Sequence, residues 1–141
     1  MKKIKYLFLV ALLILTVGCF KSDKTYEFKT TNTGENIKVT IDSSYKLSES
    51  EPVKITKGDE EVASLIFVTK TNFEEVKTLF DNNTLVAIDK GTKDNAEYFL
   101  YKVSDDYNYV ILIDGTNSGA AITSKSEDTI KKIIEVIKFS K

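Results

Sequence analysis

Ser43-Ser44-Tyr45-Lys46 places a serine three residues before a lysine, the spacing at which an amine can take the proton of a hydroxyl nucleophile. That chemistry needs the serine at a helix start, together with an S-D-N and a K-T-G element, and the chain contains neither tripeptide. Ser43 and Ser44 are therefore expected in a turn. Asp105, Asp106 and Asn108, and separately Asp81, Asn82 and Asn83, offer the oxygens that calcium takes. A calcium ion wants about six to eight of them, and neither cluster has the D-x-[DN]-x-[DN]-G spacing. Turn residues are expected at both places and no metal site is assigned. Asp114-Gly115-Thr116-Asn117-Ser118-Gly119 has the composition of a backbone anion nest. No helix follows it and no arginine is present to clamp a phosphate, so a hairpin turn is expected. Acidic neighbours at Glu49/Glu51, Asp59/Glu60/Glu61 and Glu74/Glu75 contain the groups of a glycosidase pair, but adjacency in sequence does not set the separation across a sugar.

The tyrosines are the remaining candidates. Tyr98 and Tyr101 fall in one apolar run at a spacing that sends them to opposite faces of a strand, while Tyr107 and Tyr109 in the next run share a face. They suit sheet-face or core positions with hydroxyls at the edge, since strands favour tyrosine. They are also the best residues here for an aromatic-lined groove that takes a peptide or glycan.

Inventory closes most other routes. The chain has no histidine, tryptophan, arginine or glutamine, and its one cysteine is Cys19. Histidine acid–base catalysis, Cys/His zinc sites and thiol nucleophiles within the body are excluded, and no cofactor is expected. Without Lys2, Lys3 and Lys5, the 20 Lys+Arg fall to 17 against 21 Asp+Glu, a net charge of 17 − 21 = −4 for the remainder. That balance excludes a basic nucleic-acid binder.

Lys2, Lys3 and Lys5 form a charged start, and the thirteen uncharged residues Tyr6–Gly18 follow. Thirteen is short of the about 20 needed to span a bilayer and suits the apolar region of a secretory signal. The run ends Leu15-Thr16-Val17-Gly18-Cys19, which resembles the lipobox of bacterial lipoproteins, with Thr16 departing from the usual leucine or valine. The resemblance implies a diacylglyceryl thioether on Cys19, cleavage after Gly18, and attachment to the outer face of the cell membrane. A Lys-, Ile- and Asn-rich chain without arginine suits an AT-rich genome and a low-GC Gram-positive source. Residues 1–18 are then a signal peptide, 19–25 a lipidated cysteine with a tether of about 25 Å at most, and 26–141 a single domain.

That domain is expected from short β-type runs broken by turn chemistry. Tyr26–Thr31, Asn36–Ile41, Val53–Thr56 and Val62–Thr69 come first, the last with both faces apolar and in need of cover on both sides. Thr71-Asn72-Phe73-Glu74 has the form of a capping box before a helix with Phe73, Val76, Leu79 and Phe80 on one face. Leu85–Asp89, Ala96–Val103, Tyr107–Asp114 and Ala120–Ser124 follow as strands. Ser126–Lys138 closes the chain as a helix with a stripe of Ile130, Ile133, Ile134 and Ile137. The fold class is α+β, an antiparallel sheet with amphipathic helices packed on its faces.

The segment Ile37–Lys46, an amphipathic strand running into a polar turn and an aromatic residue before lysine, resembles the opening of the Mog1/PsbP-like fold. Asp42 stands where that family often has proline. The hairpin Tyr109–Ser124 with its terminal helix is similar to the family's close, and the resemblance spans residues 26 to 140. It implies a non-enzymatic binding or accessory module with a protein partner, anchored to the membrane through Cys19. The alternatives are a small-ligand or ion-binding lipoprotein and a carboxylate-dependent extracytoplasmic hydrolase.

Overall fold

The computed structural model describes residues 22–141. Cys19 and the signal-like segment lie outside the described residues. The α+β expectation holds, with two sheets in place of one. A three-stranded sheet has the order β1-β2-β10, and a seven-stranded sheet has the order β3-β4-β5-β9-β8-β7-β6. The strands are β1 (Asp23–Lys29), β2 (Asn36–Asp42), β3 (Tyr45–Leu47), β4 (Val53–Lys57), β5 (Glu60–Thr69), β6 (Ala87–Lys93), β7 (Ala96–Val103), β8 (Asp106–Leu112), β9 (Ser118–Ser124) and β10 (Ile137–Ser140). Every pairing is antiparallel. The helices are α1 (Lys70–Asp81) and α2 (Glu127–Val136).

The registers show how alternation builds two cores. Val53, Leu65, Ile122, Tyr109 and Leu100 lie side by side across β4, β5, β9, β8 and β7, and all five are buried. This inner face meets Ile130 and Ile133 of α2 and the apolar side of the small sheet, Phe28, Ile37, Val39 and Ile41. One residue along each strand, Ile66, Ala121, Val110 and Phe99 form a row on the outer face. There α1 lays Phe73 and Phe80 over Phe99 and Val110, with Phe80 stacked on Phe99 at 4.4 Å between centroids. The helices thus cover both faces of the large sheet. Cover on the outer face stops short of β5's middle, and Ile66 remains 43% exposed. Gly119 is required where β9 passes β8, because a Cβ would stand 2.9 Å from the Ile111 carbonyl and 3.0 Å from Val68 Cγ2.

Several boundaries move. The first strand begins at Asp23, three residues before Tyr26. Thr69, not Thr71, caps α1: its hydroxyl accepts the Asn72 N–H at 3.1 Å while Asn72 Oδ1 accepts the Thr69 N–H at 3.4 Å. Asparagine replaces the glutamate of the usual capping box. Asp81-Asn82-Asn83 ends the same helix. Asn83 takes a φ of +58°, its N–H donates to the Phe80 carbonyl and that of Thr84 to the Leu79 carbonyl, the paired closure of a Schellman motif. The terminal helix stops at Val136, and Ile137–Ser140 turns away as β10 against β2. Ile137 is still buried in the same core as Ile130 and Ile133, so the stripe is real but crosses a change of element. The helix leans on β8, β9 and β5.

Candidate functional site

The four tyrosines do not converge. Tyr98 and Tyr101 take opposite faces as expected, and Tyr107 and Tyr109 share Tyr98's inner face, so Tyr101 is alone on the outer side. Tyr109 is 1% exposed. Its ring lies 5.6 Å from that of Tyr98, and burial pushes its hydroxyl well above the ordinary tyrosine value. Tyr98 lies over Gly91 of the next strand and donates to Asp89 Oδ2 at 3.0 Å. Lys102 stands 5.2 Å above the Tyr107 ring. Tyr101 meets Phe80 edge-on at 5.2 Å. These are packing residues on two faces of one sheet. The cavity beside Tyr109, between β8 and β10, has about 30 Å³, well below the roughly 300 Å³ at which ligand pockets begin.

The other sequence candidates resolve into turns and caps. Ser43 and Ser44 form the β2–β3 turn, where Asp42 Oδ1 accepts the Ser44 N–H at 3.0 Å, and no helix follows. Asp106 pairs with Lys125 at 2.6 Å, and Asn108 accepts from Thr123 at 3.0 Å. Asp114–Asn117 is a hairpin turn, closed by the Ile113 N–H on the Ser118 carbonyl at 3.0 Å with Gly115 at φ +76°, and Ser118 and Gly119 already belong to β9. Glu51 accepts the Phe67 N–H at 3.0 Å. No group of three or more acidic or cysteine residues is placed to hold a metal ion among the described residues.

The densest polar constellation was not singled out from the sequence. At the β1–β2 turn, the Glu35 carboxylate accepts the Ser118 hydroxyl at 2.7 Å and the Asn117 N–H at 3.0 and 3.2 Å. Thr33 hydrogen-bonds Ser118 at 2.8 Å and also meets Thr30. The Asn117 carbonyl accepts the N–H of Lys70 at the start of α1, at 2.9 Å. Three junctions meet here: the turn of the small sheet, the β8–β9 turn, and the strand-to-helix step after β5. The Ser118 hydroxyl holds the Glu35 carboxyl below the ordinary carboxylate value, with help from Asn117 and Thr33 and against the opposing effect of burial. A carboxylate beside a serine hydroxyl is a base beside a nucleophile. Ser118 is fully buried, so no substrate atom reaches its oxygen and the arrangement is a fastening. Beside it lies an open depression of about 500 Å³ lined by Thr33, Thr69, Lys70, Thr71, Glu74 and Asn117. The hydroxyl-rich Thr30–Glu35 was the available signal, but its partner stands 83 residues away.

On the outer rim, Val86 is 80% exposed and Ile88 42%, beside the free edge of β6. A bulge between Ala87 and Asp89 and the lysine and glycine at 90 and 91 are features that keep an edge from pairing.

Comparison of the chain with protein-family models, with curated proteins and with solved structures finds no match. No helix among the described residues is long and apolar enough to cross a membrane.

Proposed function

We propose that this chain is a membrane-tethered binding or accessory module, held at the outer face of the cell membrane by lipid on Cys19, and not an enzyme. The observation that carries this reading is the sequence order: Lys2, Lys3 and Lys5, the apolar Tyr6–Gly18, then Cys19, with β1 beginning four residues later at Asp23. Four residues extend about 14 Å at most, so the folded body rests next to the bilayer. Two acyl chains suffice for stable attachment where one does not. The domain is of the Mog1/PsbP-like kind in this reading, supported by the amphipathic β2, its turn into Tyr45-Lys46, and the closing hairpin and helix. An accessory role fits a body whose polar constellations are spent on caps, turns and the Glu35 fastening.

The test is the native size of the protein extracted from its own membranes in mild detergent. The reading expects the wild-type chain to migrate in an assembly larger than its monomer and the Cys19→Ser chain to lose it. A wild-type chain found only as a monomer contradicts the accessory role.

A further inference from the structure

We propose that Glu35 is an acid-released latch: its carboxylate holds the β1–β2 turn against the β8–β9 turn, and its protonation lets that turn swing clear and widens the depression beside α1. Geometry carries this. The carboxylate has three hydrogen-bond contacts across the junction, two to the Asn117 N–H and one to the Ser118 hydroxyl, and an ionised acceptor makes such bonds stronger. The turn is closed on itself, with the Thr30 N–H on the Glu35 carbonyl and the Gly34 N–H on the Thr30 carbonyl, both at 2.9 Å. It therefore moves as a unit, and once the carboxylate cross-link fails the two neutral bonds left to it, Thr33 to Ser118 at 2.8 Å and Asn32 Nδ2 to the Phe67 carbonyl at 3.3 Å, must part with it. Below it Phe28 and Ile37 are buried in the shared core, so release is confined to the tip.

The consequence for the surface follows from position. Thr33 and Asn117 line the depression of about 500 Å³ and stand on opposite sides of the latch, so releasing Glu35 parts them. The charged groups around it are few: Lys70 and Glu74 on α1 share that depression, Asp114 lies in the β8–β9 turn, and Lys141 favours the ionised Glu35 from the chain end. Since folded Glu35 has a lowered pKa, the latch is fully formed above the unfolded value of about 4.3. It is lost as pH falls through the folded value.

The experiment is amide hydrogen exchange, read residue by residue on the full-length chain in detergent between pH 7 and pH 3 and corrected for intrinsic rates. The latch predicts that protection at Asn117 falls at least tenfold on acidification while Ile122 in the core keeps its own. In Glu35→Gln, Asn117 should be poorly protected already at pH 7 and nearly flat with pH, whereas Asp114→Asn should behave as wild type. Loss of Asn117 and Ile122 protection together would show global acid unfolding and overturn the latch. So would a Glu35→Gln chain indistinguishable from wild type, or a wild-type Asn117 whose protection does not change with pH.

Discussion

The ammonium of Lys93, at the end of β6, donates to the main-chain carbonyl of Ile134 in the last turn of α2, and at 3.4 Å to that of Ile137. The last turn of α2 contains no basic residue of its own, so the cation that complements its carbonyls arrives from a strand 41 residues earlier. Burial pushes the Lys93 ammonium pKa below the ordinary lysine value, and the two carbonyl bonds offset part of that cost. Lys93→Ala should destabilise the domain by about 1–2 kcal/mol, read from urea unfolding. Lys90→Ala, three residues earlier in the strand and exposed, should change stability by less than about 0.5 kcal/mol.

Ile133 and Ile134 are adjacent on α2 but differ in burial. Ile133 is fully buried, and Ile134 is partly buried at the margin of the core. Ile133→Ala should cost about 2–5 kcal/mol and Ile134→Ala less than half of what Ile133→Ala does. An aspartate at 133 leaves an unpaired buried charge and should prevent folding, while one at 134 can turn toward solvent. Thermal melts of the four variants check the order.

Tyr109 sets an alkaline limit. Its hydroxyl is raised by burial first, and then by the nearby Tyr98, Asp94 and Asp89. A raised acid stabilises the folded state below its unfolded value, about 10, and that contribution is lost as pH climbs toward the folded value. Tyr109→Phe should therefore flatten the fall in stability above about pH 10, measured by urea midpoints from pH 8 to 11.

Alternation made the sheet positions legible: Leu65, Phe67, Phe99 and Val110 take the faces that period 2 assigns. Pairing partners were not, because nothing local in Phe28 or Ile37 says that β1, β2 and β10 separate into a second sheet. Ile137 shows a related limit, since an apolar residue three positions after Ile134 satisfies a helical stripe even when the chain has already turned into a strand. Thr69 is hard to read as a cap because Asn72 stands where a capping box usually carries glutamate. The tyrosines split since parity fixes the face within a strand, while register with the neighbour, unknown from sequence, decides which tyrosines meet. Glu35 and Ser118 illustrate the hardest case: each is ordinary turn chemistry alone, and only tertiary contact makes them one junction.

We propose lipid on Cys19 as the tether of this domain, and metabolic labelling with a radiolabelled fatty acid reads that modification itself. The wild-type chain should take up label and run at the size left by cleavage after Gly18, whereas Cys19→Ser should take up none and remain as the uncleaved precursor. Label of equal intensity on the Cys19→Ser chain, or an unlabelled wild-type chain, would contradict the claim.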